Sequence, residues 1–294
     1  MQILRWLAAL WVVLLHTAVD LVVPAAYFPD LPAALRGLVH AGFAGVDVFF
    51  AISGAVMAES TSSLGPGAGQ SLRFLGLRLA RIYAGWWPFF GLYLLAFHAW
   101  GWPLDGKDLG ASWWLWPLKD FQNYLLPILW SLSFEVYFYG VLSLLLWLKR
   151  PHQRLALGLW GLAVGGLTAW NLGHGLNTPA GLASMTLLEH FAGSPLVLEF
   201  IGGFLVCDFL RSRPQAPAWP WTVAALGLIA LAVAYAALAP LQADGLAHPL
   251  HTPERVLFVG SAACALVGCA LTWRPPRSAL ARQLAAWGDA SYAI

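Results

Sequence analysis

ILRWLAALWVVLLHTAVDLVV, residues 3–23, is the stretch on which the reading of the chain turns. A run of about 20 mostly apolar residues is long enough to cross a bilayer core of about 30 Å. This one nevertheless carries Arg5, His16 and Asp20. At about 100° per residue, the step from Arg5 to His16 is three turns plus about 20°, so the two side chains stack along one stripe about 16 Å apart. Asp20 follows one turn further on the same face. Ionisable groups inside a span are costly and persist where they face a bundle interior or a wet cavity, which makes the stripe a candidate functional face. A cleavable signal peptide is the competing reading, because Arg5 precedes the apolar run and Ala25 and Ala26 follow Pro24. The length of the run, with His16 and Asp20 inside it, favours a span.

The remaining composition points the same way. The 294 residues are 60% hydrophobic and 10% charged, which excludes an ordinary soluble domain. Long apolar runs with little alternation argue for helices over a β-barrel. The expected fold is all-α: a polytopic transmembrane helix bundle with spans at 3–23, 38–58, 80–100, 130–148, 154–172, 194–210, 220–240 and 255–273. A ninth apolar start at Trp287 ends within a few residues, so the chain reads as a single transmembrane domain, 1–294, truncated in its last helix. The Trp-rich stretch 111–129 is an interfacial or re-entrant segment, with an extra helix as the alternative. Tryptophans near segment ends, such as Trp86, Trp87, Trp219 and Trp221, suit an interfacial belt. Cys207, Cys264 and Cys269 lie in apolar segments without metal-like spacing, so core thiols are expected and no metal site.

Charge sets an orientation. Connections holding Arg73, Arg78 and Arg81, then Lys149, Arg150 and Arg154, then Arg211 and Arg213, then Arg274, Arg277 and Arg282 are basic. They alternate with connections holding Asp30, then Asp105, Asp108 and Asp120, then Glu189, then Asp244 and Glu254. The positive-inside rule places the basic set, and the amino terminus, in the cytoplasm.

Four constellations carry chemistry. The first is Arg5 with His16. An imidazole is a natural general base for a hydroxyl proton, and an acidic neighbour could fix its tautomer, the plain alternative being a bundle-facing histidine bonded to a carbonyl; Asp20 lies near the outer interface, where a solvated role is the favoured reading. The second is GFAGVDVFFAISGAVMA, residues 42–58, whose glycines permit close helix approach and whose Asp47 places a carboxylate beside an aromatic pair. The third is Arg78-Leu-Ala-Arg81, two guanidiniums on one helix face, read as lying at a helix N-terminus and suited to a phosphate or pyrophosphate, with a positive-inside anchor as the alternative. The fourth is WSLSFEVYFY, residues 130–139, where Glu135 has Ser131 and Tyr139 one turn away on either side, either as a polar stripe at a site or as a structural network.

Arg5 with His16, then GVDVFFAISG at 45–54, RLARI at 78–82 and WSLSFEVYFY at 130–139, in that order and spacing, resemble the acyltransferase-3 family of membrane O-acyltransferases. The terminal GDASYAI, residues 288–294, looks like that family's last-helix motif. The resemblance covers essentially the whole chain. It implies a bundle of transmembrane helices that transfers an acyl group, usually acetyl, from acyl-CoA to a hydroxyl of an extracytoplasmic glycan, cell-wall component, lipid or secondary metabolite. It implies His16 as the catalytic histidine with Arg5 in the same motif, Arg78 and Arg81 as the pair that engages acyl-CoA, and Glu135 as the acid of the WSLxxE segment. The proline that often follows RI in the family is absent, since Ile82-Tyr83 leads to Ala84 and Gly85.

The expected protein is therefore an enzyme of a bacterial inner membrane, amino terminus inside, with acetyl-CoA or another acyl-CoA as donor. Membrane lipid, the donor and a hydroxyl-bearing acceptor are its expected partners, and nucleic acid is not. His16, Asp47 and Glu135 are the candidate catalytic groups, and Arg78, Arg81 and Arg5 the candidate donor-binding groups. A transient acyl-enzyme on His16 or Ser131 ranks below direct transfer. A transporter or flippase for a glycan or lipid precursor is the alternative function, and it predicts two related halves. The unusual charges instead cluster between Arg5 and Glu135, with Glu199 the main exception later in the chain. A structural subunit without chemistry would leave that cluster unexplained.

Overall fold

The computed structural model describes residues 1–18, 39, 41–176, 178–238, 253–273 and 279–290, and every regular element among them is helical. In chain order these are α1 (Gln2–Ala18), a 3-10 turn (Ala41–Phe43), α2 (Ala44–Ser60), α3 (Ala68–Trp100), α4 (Leu109–Trp114), a 3-10 turn (Phe121–Asn123), α5 (Leu129–Leu145) and α6 (Arg150–Gly173). Then come α7 (Pro179–Ser184), α8 (Leu187–Ala192), α9 (Val197–Arg211) and α10 (Trp219–Leu238). A short turn, Pro253–Arg255, leads through a π-helical segment, Val256–Gly260, into α11 (Ser261–Thr272), and α12 (Ala279–Ala290) follows.

The expected all-helical class holds, but the count of eight full spans does not. Among the described residues two helices are long and apolar enough to cross a membrane, Ala41–Ser60 with 20 residues and Arg150–Gly173 with 24. Length is the main reason. The apolar stretches Gln2–Thr17, Leu129–Leu145, Trp219–Tyr235 and Val256–Thr272 fall in the range of 10–17 residues. At 1.5 Å per residue that is about 25 Å or less, short of a hydrocarbon core of about 30 Å. The helix α9 has 15 residues and carries Glu199 and Asp208. At 33 residues α3 is long, but Arg73, Arg78 and Arg81 occupy its first half, while Trp, Tyr, Gly, Pro88 and His98 dilute the aliphatic character of its second. The apolar start at Trp287 falls within α12. The helix α6 presents Leu155, Leu159, Leu162 and Trp170 on its exposed surface, as a lipid-facing helix does.

The chain divides into two compact units, Met1–Ser60 with Pro195–Ile294, and Thr61–Ser194. In the first, α2 lies along α9, and each contributes a glycine to the contact. The Cα of Gly54 rests against the Phe200 carbonyl and the Phe204 nitrogen, and that of Gly203 against the backbone of Ala51. Backbone meets backbone with no side chain between, so a methyl at either position has no soft neighbour to displace. Gly203→Ala is expected to cost about 1–3 kcal/mol by overpacking. It should lower the thermal-unfolding midpoint in detergent, and an unchanged midpoint would contradict the close approach.

In the second unit, Gly67 opens α3 with φ of 142°, a backbone conformation that glycine accepts readily, and its N–H donates to the Leu146 carbonyl at 3.1 Å. The first half of α3 runs antiparallel to α5, with the Ser71 hydroxyl donating to the Ser143 carbonyl and Phe74 edge-on to Tyr139. Gly101 ends α3 in the left-handed region, and the chain then doubles back. The carbonyls of α4 receive the aromatic donors of α3: Trp86 Nε1 to Ser112 at 2.8 Å, Trp87 Nε1 to Trp113 at 3.2 Å, and the Tyr83 hydroxyl to Trp114 at 2.7 Å. The 111–129 stretch is thus no additional span. It is the end of α4, a left-handed stop at Leu115 and a short turn, folded back along α3.

Thr186 caps α8 in a capping box: its hydroxyl accepts the Glu189 N–H, and the Glu189 carboxylate accepts the Thr186 N–H at 2.7 Å. The Thr186 N–H first, and its hydroxyl second, hold the Glu189 carboxyl below its ordinary value. A depressed folded value stabilises above the ordinary carboxyl pKa, and that contribution is lost as pH falls through the folded value. The protection of the amides at 187–190, measured against their intrinsic exchange rates, should therefore fall on acidification more in the wild type than in Thr186→Ala. An equal loss of protection in both would contradict the cap.

Candidate functional site

His16 stands near the C-terminal end of α1, half-buried, and among the described residues its imidazole has no hydrogen-bond partner. A ring so placed can take a proton from an incoming hydroxyl without first breaking an existing bond. Asp20, the acidic neighbour of that ring in sequence, lies outside the described residues. What fixes α1 is its seat on α2. Gly42 lies against the Trp11 carbonyl and the Leu15 Cβ, and Gly45 against the Ala8 carbonyl and Val12. The other end of α1 packs on α12, with Trp6 and Trp287 at 5.4 Å between ring centroids. Arg5 is buried at that end, and its Nη1 donates to Gln2 Oε1 at 2.8 Å.

Asp47, in the first turn of α2, is fully buried, and its partner is Arg255. Arg255 Nε donates to both carboxylate oxygens, at 3.0 and 3.2 Å, and Nη2 donates to Oδ2 at 2.6 Å. The same Nη2 donates to the Phe43 carbonyl at 3.4 Å, and the guanidinium lies 4.7 Å from the Phe43 ring centroid. Glu199, 1% exposed, joins this pair; neither of its carboxylate oxygens has a hydrogen-bond partner among the described residues. It packs against Gly260, while the Cys264 thiol donates to its backbone carbonyl at 3.7 Å. Two carboxylates and one guanidinium carry one net negative charge, so the trio is electrically balanced when it holds one proton. Sequence reasoning picked out Asp47 and noted Glu199 but passed over Arg255. The only signal for it was a lone arginine at the head of an apolar run, 208 residues from its partner.

In the second unit the helix pair α3–α5 brings two of the motifs together. The Arg78 guanidinium lies 5.5 Å from the Phe74 ring centroid and 5.9 Å from that of Tyr139, and Tyr139 is one turn along α5 from half-buried Glu135. Such a cation over two aromatic faces is held in place while its N–H groups stay available for further bonds. Arg81, one turn further along α3, is exposed. One expectation fails here. The arginines do not sit at a helix N-terminus, because α3 starts at Ala68 and both lie well inside it. The GPG turn ends at Gly67, and QSLRFLGLRLA is a run of good helix formers with no breaker except Gly76, so the helix starts about three turns earlier than expected. An anion at this pair would be met by the guanidiniums and not by a helix end. Ser131 spends its hydroxyl on the Ile128 carbonyl at 2.9 Å.

Among the described residues no group of three or more His, Cys, Asp and Glu side chains could hold a metal ion. A family model described as "Acyltransferase domain" matches residues 1–294. No curated protein and no solved structure matches the chain.

Proposed function

The chain belongs to the acyltransferase-3 family, and from that premise we propose that it moves an acyl group, acetyl by preference, from cytoplasmic acyl-CoA to a hydroxyl of an extracytoplasmic glycan, cell-wall component, lipid or secondary metabolite. Family membership and the two apolar helices make it a membrane-associated protein, and acyl-CoA is the donor that members of this family typically use. The bacterial cytoplasmic membrane, with the amino terminus inside, is the location this reading requires.

In the proposed reaction His16 takes the proton of the acceptor hydroxyl as its oxygen attacks the thioester carbonyl. The carbon–sulfur bond breaks, the ester forms, and His16 returns the proton to the departing thiolate, so that the free thiol of CoA is released. Arg78 and Arg81 hold phosphate groups of the donor, a role that suits planar, always-charged guanidiniums. Glu135, one turn from Tyr139, keeps the surroundings of Arg78 polar. Asp47, through Arg255, fixes the helix on which α1 rests, and Arg5 sets the depth of α1. The observation that carries this reading is the imidazole of His16, half-buried and without a hydrogen-bond partner among the described residues, in a chain of this family.

Arg78→Ala should raise the KM for acyl-CoA while leaving turnover at saturating donor nearly intact, since the interaction is with a part of the donor that does not react. An unchanged KM would return the pair to a purely topological role. The reading as a whole is tested by mass spectrometry of envelope glycans and small metabolites from cells with and without the gene. A lost acyl mass is the expected result; identical acylation in both would remove the proposal.

A further inference from the structure

We infer that Arg255 is a positioning residue for His16, acting through the first turn of α2; the inference rests on the reading of His16 as the base. The path is short and made of hard contacts. Arg255 grips residues 43–47 at three places, both oxygens of Asp47, the Phe43 carbonyl and the Phe43 ring face. The turn so held contains Gly42, which rests on the Trp11 carbonyl and the Cβ of Leu15, the residue before His16. One turn on, Gly45 rests on the Ala8 carbonyl. Each contact includes a backbone carbonyl of α1, with the Leu15 Cβ beside Gly42 and the Val12 Cγ2 beside Gly45, and a close-packed interior transmits a displacement instead of absorbing it. A movement of the 41–47 turn is therefore a movement of residues 11–16.

Two further observations separate this pair from an ordinary structural ion pair. The chain leaves Arg255 by a π-helical segment, Val256–Gly260, a rare backbone form that concentrates at functional sites. It also brings Gly260 against Glu199, whose buried carboxylate lies within Coulombic reach of both Asp47 and Arg255. A fork that meets carboxylate oxygens, a carbonyl and a ring at once is a task for arginine and not for lysine, whose ammonium is a single point of charge.

The experiment compares wild type with Arg255→Lys and Gly42→Ala. Arg255→Lys keeps a charge beside Asp47 but loses the fork, and Gly42→Ala pushes on the same contact with the ion pair intact. Each folded variant is assayed for kcat and for the KM of acyl-CoA. Each is also treated with diethyl pyrocarbonate, the rate of His16 carbethoxylation being read by mass spectrometry. Expected are a kcat lower by on the order of 10- to 100-fold, the scale set by misplacing a reacting group, an unchanged KM and an altered His16 labelling rate. Wild-type labelling of His16 in both variants overturns the inference whatever the activity does. Altered labelling together with a wild type that transfers no acyl group would support the positioning and remove the functional reading instead. Should Arg255→Lys fail to fold, the charge-neutral combination Asp47→Asn with Arg255→Gln is labelled in its place and read by the same criterion.

Discussion

His16→Ala is expected to lower acyl transfer by about 10²- to 10⁴-fold, the usual range for loss of a general base, while the protein folds as before. The two halves of that expectation have separate causes. The rate falls because the acceptor hydroxyl then has nothing to take its proton as it attacks the thioester. The fold survives because His16 is half-buried and has no hydrogen-bond partner among the described residues, so truncation orphans no polar group. The contacts that hold α1 belong to its neighbours: Ala8, Trp11, Val12 and Leu15 against the glycines of the 41–45 segment, and Trp6 against Trp287. A size-exclusion profile and melting midpoint like those of the wild type, with activity reduced by at least two orders of magnitude, is the combination to look for. Full activity in a folded His16→Ala protein would end the assignment of the base.

Asp47→Ala should act in the opposite sense, on the fold before the chemistry. The guanidinium of Arg255 is 2% exposed, and Asp47 accepts three of its hydrogen bonds. Removing one member of a buried, hydrogen-bonded ion pair typically costs about 3–5 kcal/mol, because the remaining charge is left in a place it cannot leave. Glu199, the other carboxylate of the trio, already interacts with the guanidinium and offsets part of that loss. Replacing both partners with apolar residues of similar size removes the ion pair and leaves Glu199 buried as its neutral acid, so Asp47→Leu with Arg255→Leu should be more stable than Asp47→Ala alone. Chemical unfolding in detergent micelles tests the order. A double variant no more stable than Asp47→Ala would show that the pair does not carry the stability assigned to it.

Much of the helical content is legible in the sequence. The apolar runs at 3–23, 38–58, 130–148 and 154–172 correspond to α1, α2, α5 and α6, with ends shifted by a few residues where described. What hydropathy does not distinguish is a helix made apolar to face lipid from one made apolar to sit in a protein core. The α2 run GVDVFFAISGAVMA is almost entirely buried against its own unit, whereas the α6 run shows most of its leucines at the surface. The tryptophans of 111–116 read as an interfacial belt, but the Ser112, Trp113 and Trp114 carbonyls of that segment accept from Trp86, Trp87 and Tyr83, a tertiary contact that no local pattern encodes. Arg78 and Arg81 read as an interfacial boundary, whereas Gly67 marks the start of α3. Of the candidate residues, His16, Asp47 and Glu135 stand out as ionisable groups in apolar runs. Arg255 does not, because its meaning depends on a partner 208 residues away.

The central claim is that this chain forms an ester from acyl-CoA. Membranes containing the protein, incubated with acetyl-CoA labelled in the acetyl group and with isolated envelope glycan, measure it directly. The account predicts alkali-labile label on the acceptor, release of one free CoA thiol per ester, and loss of both in His16→Ala. Glycan that crosses the membrane unlabelled, with no thiol released above the His16→Ala background, would contradict it and mark the chain as a carrier.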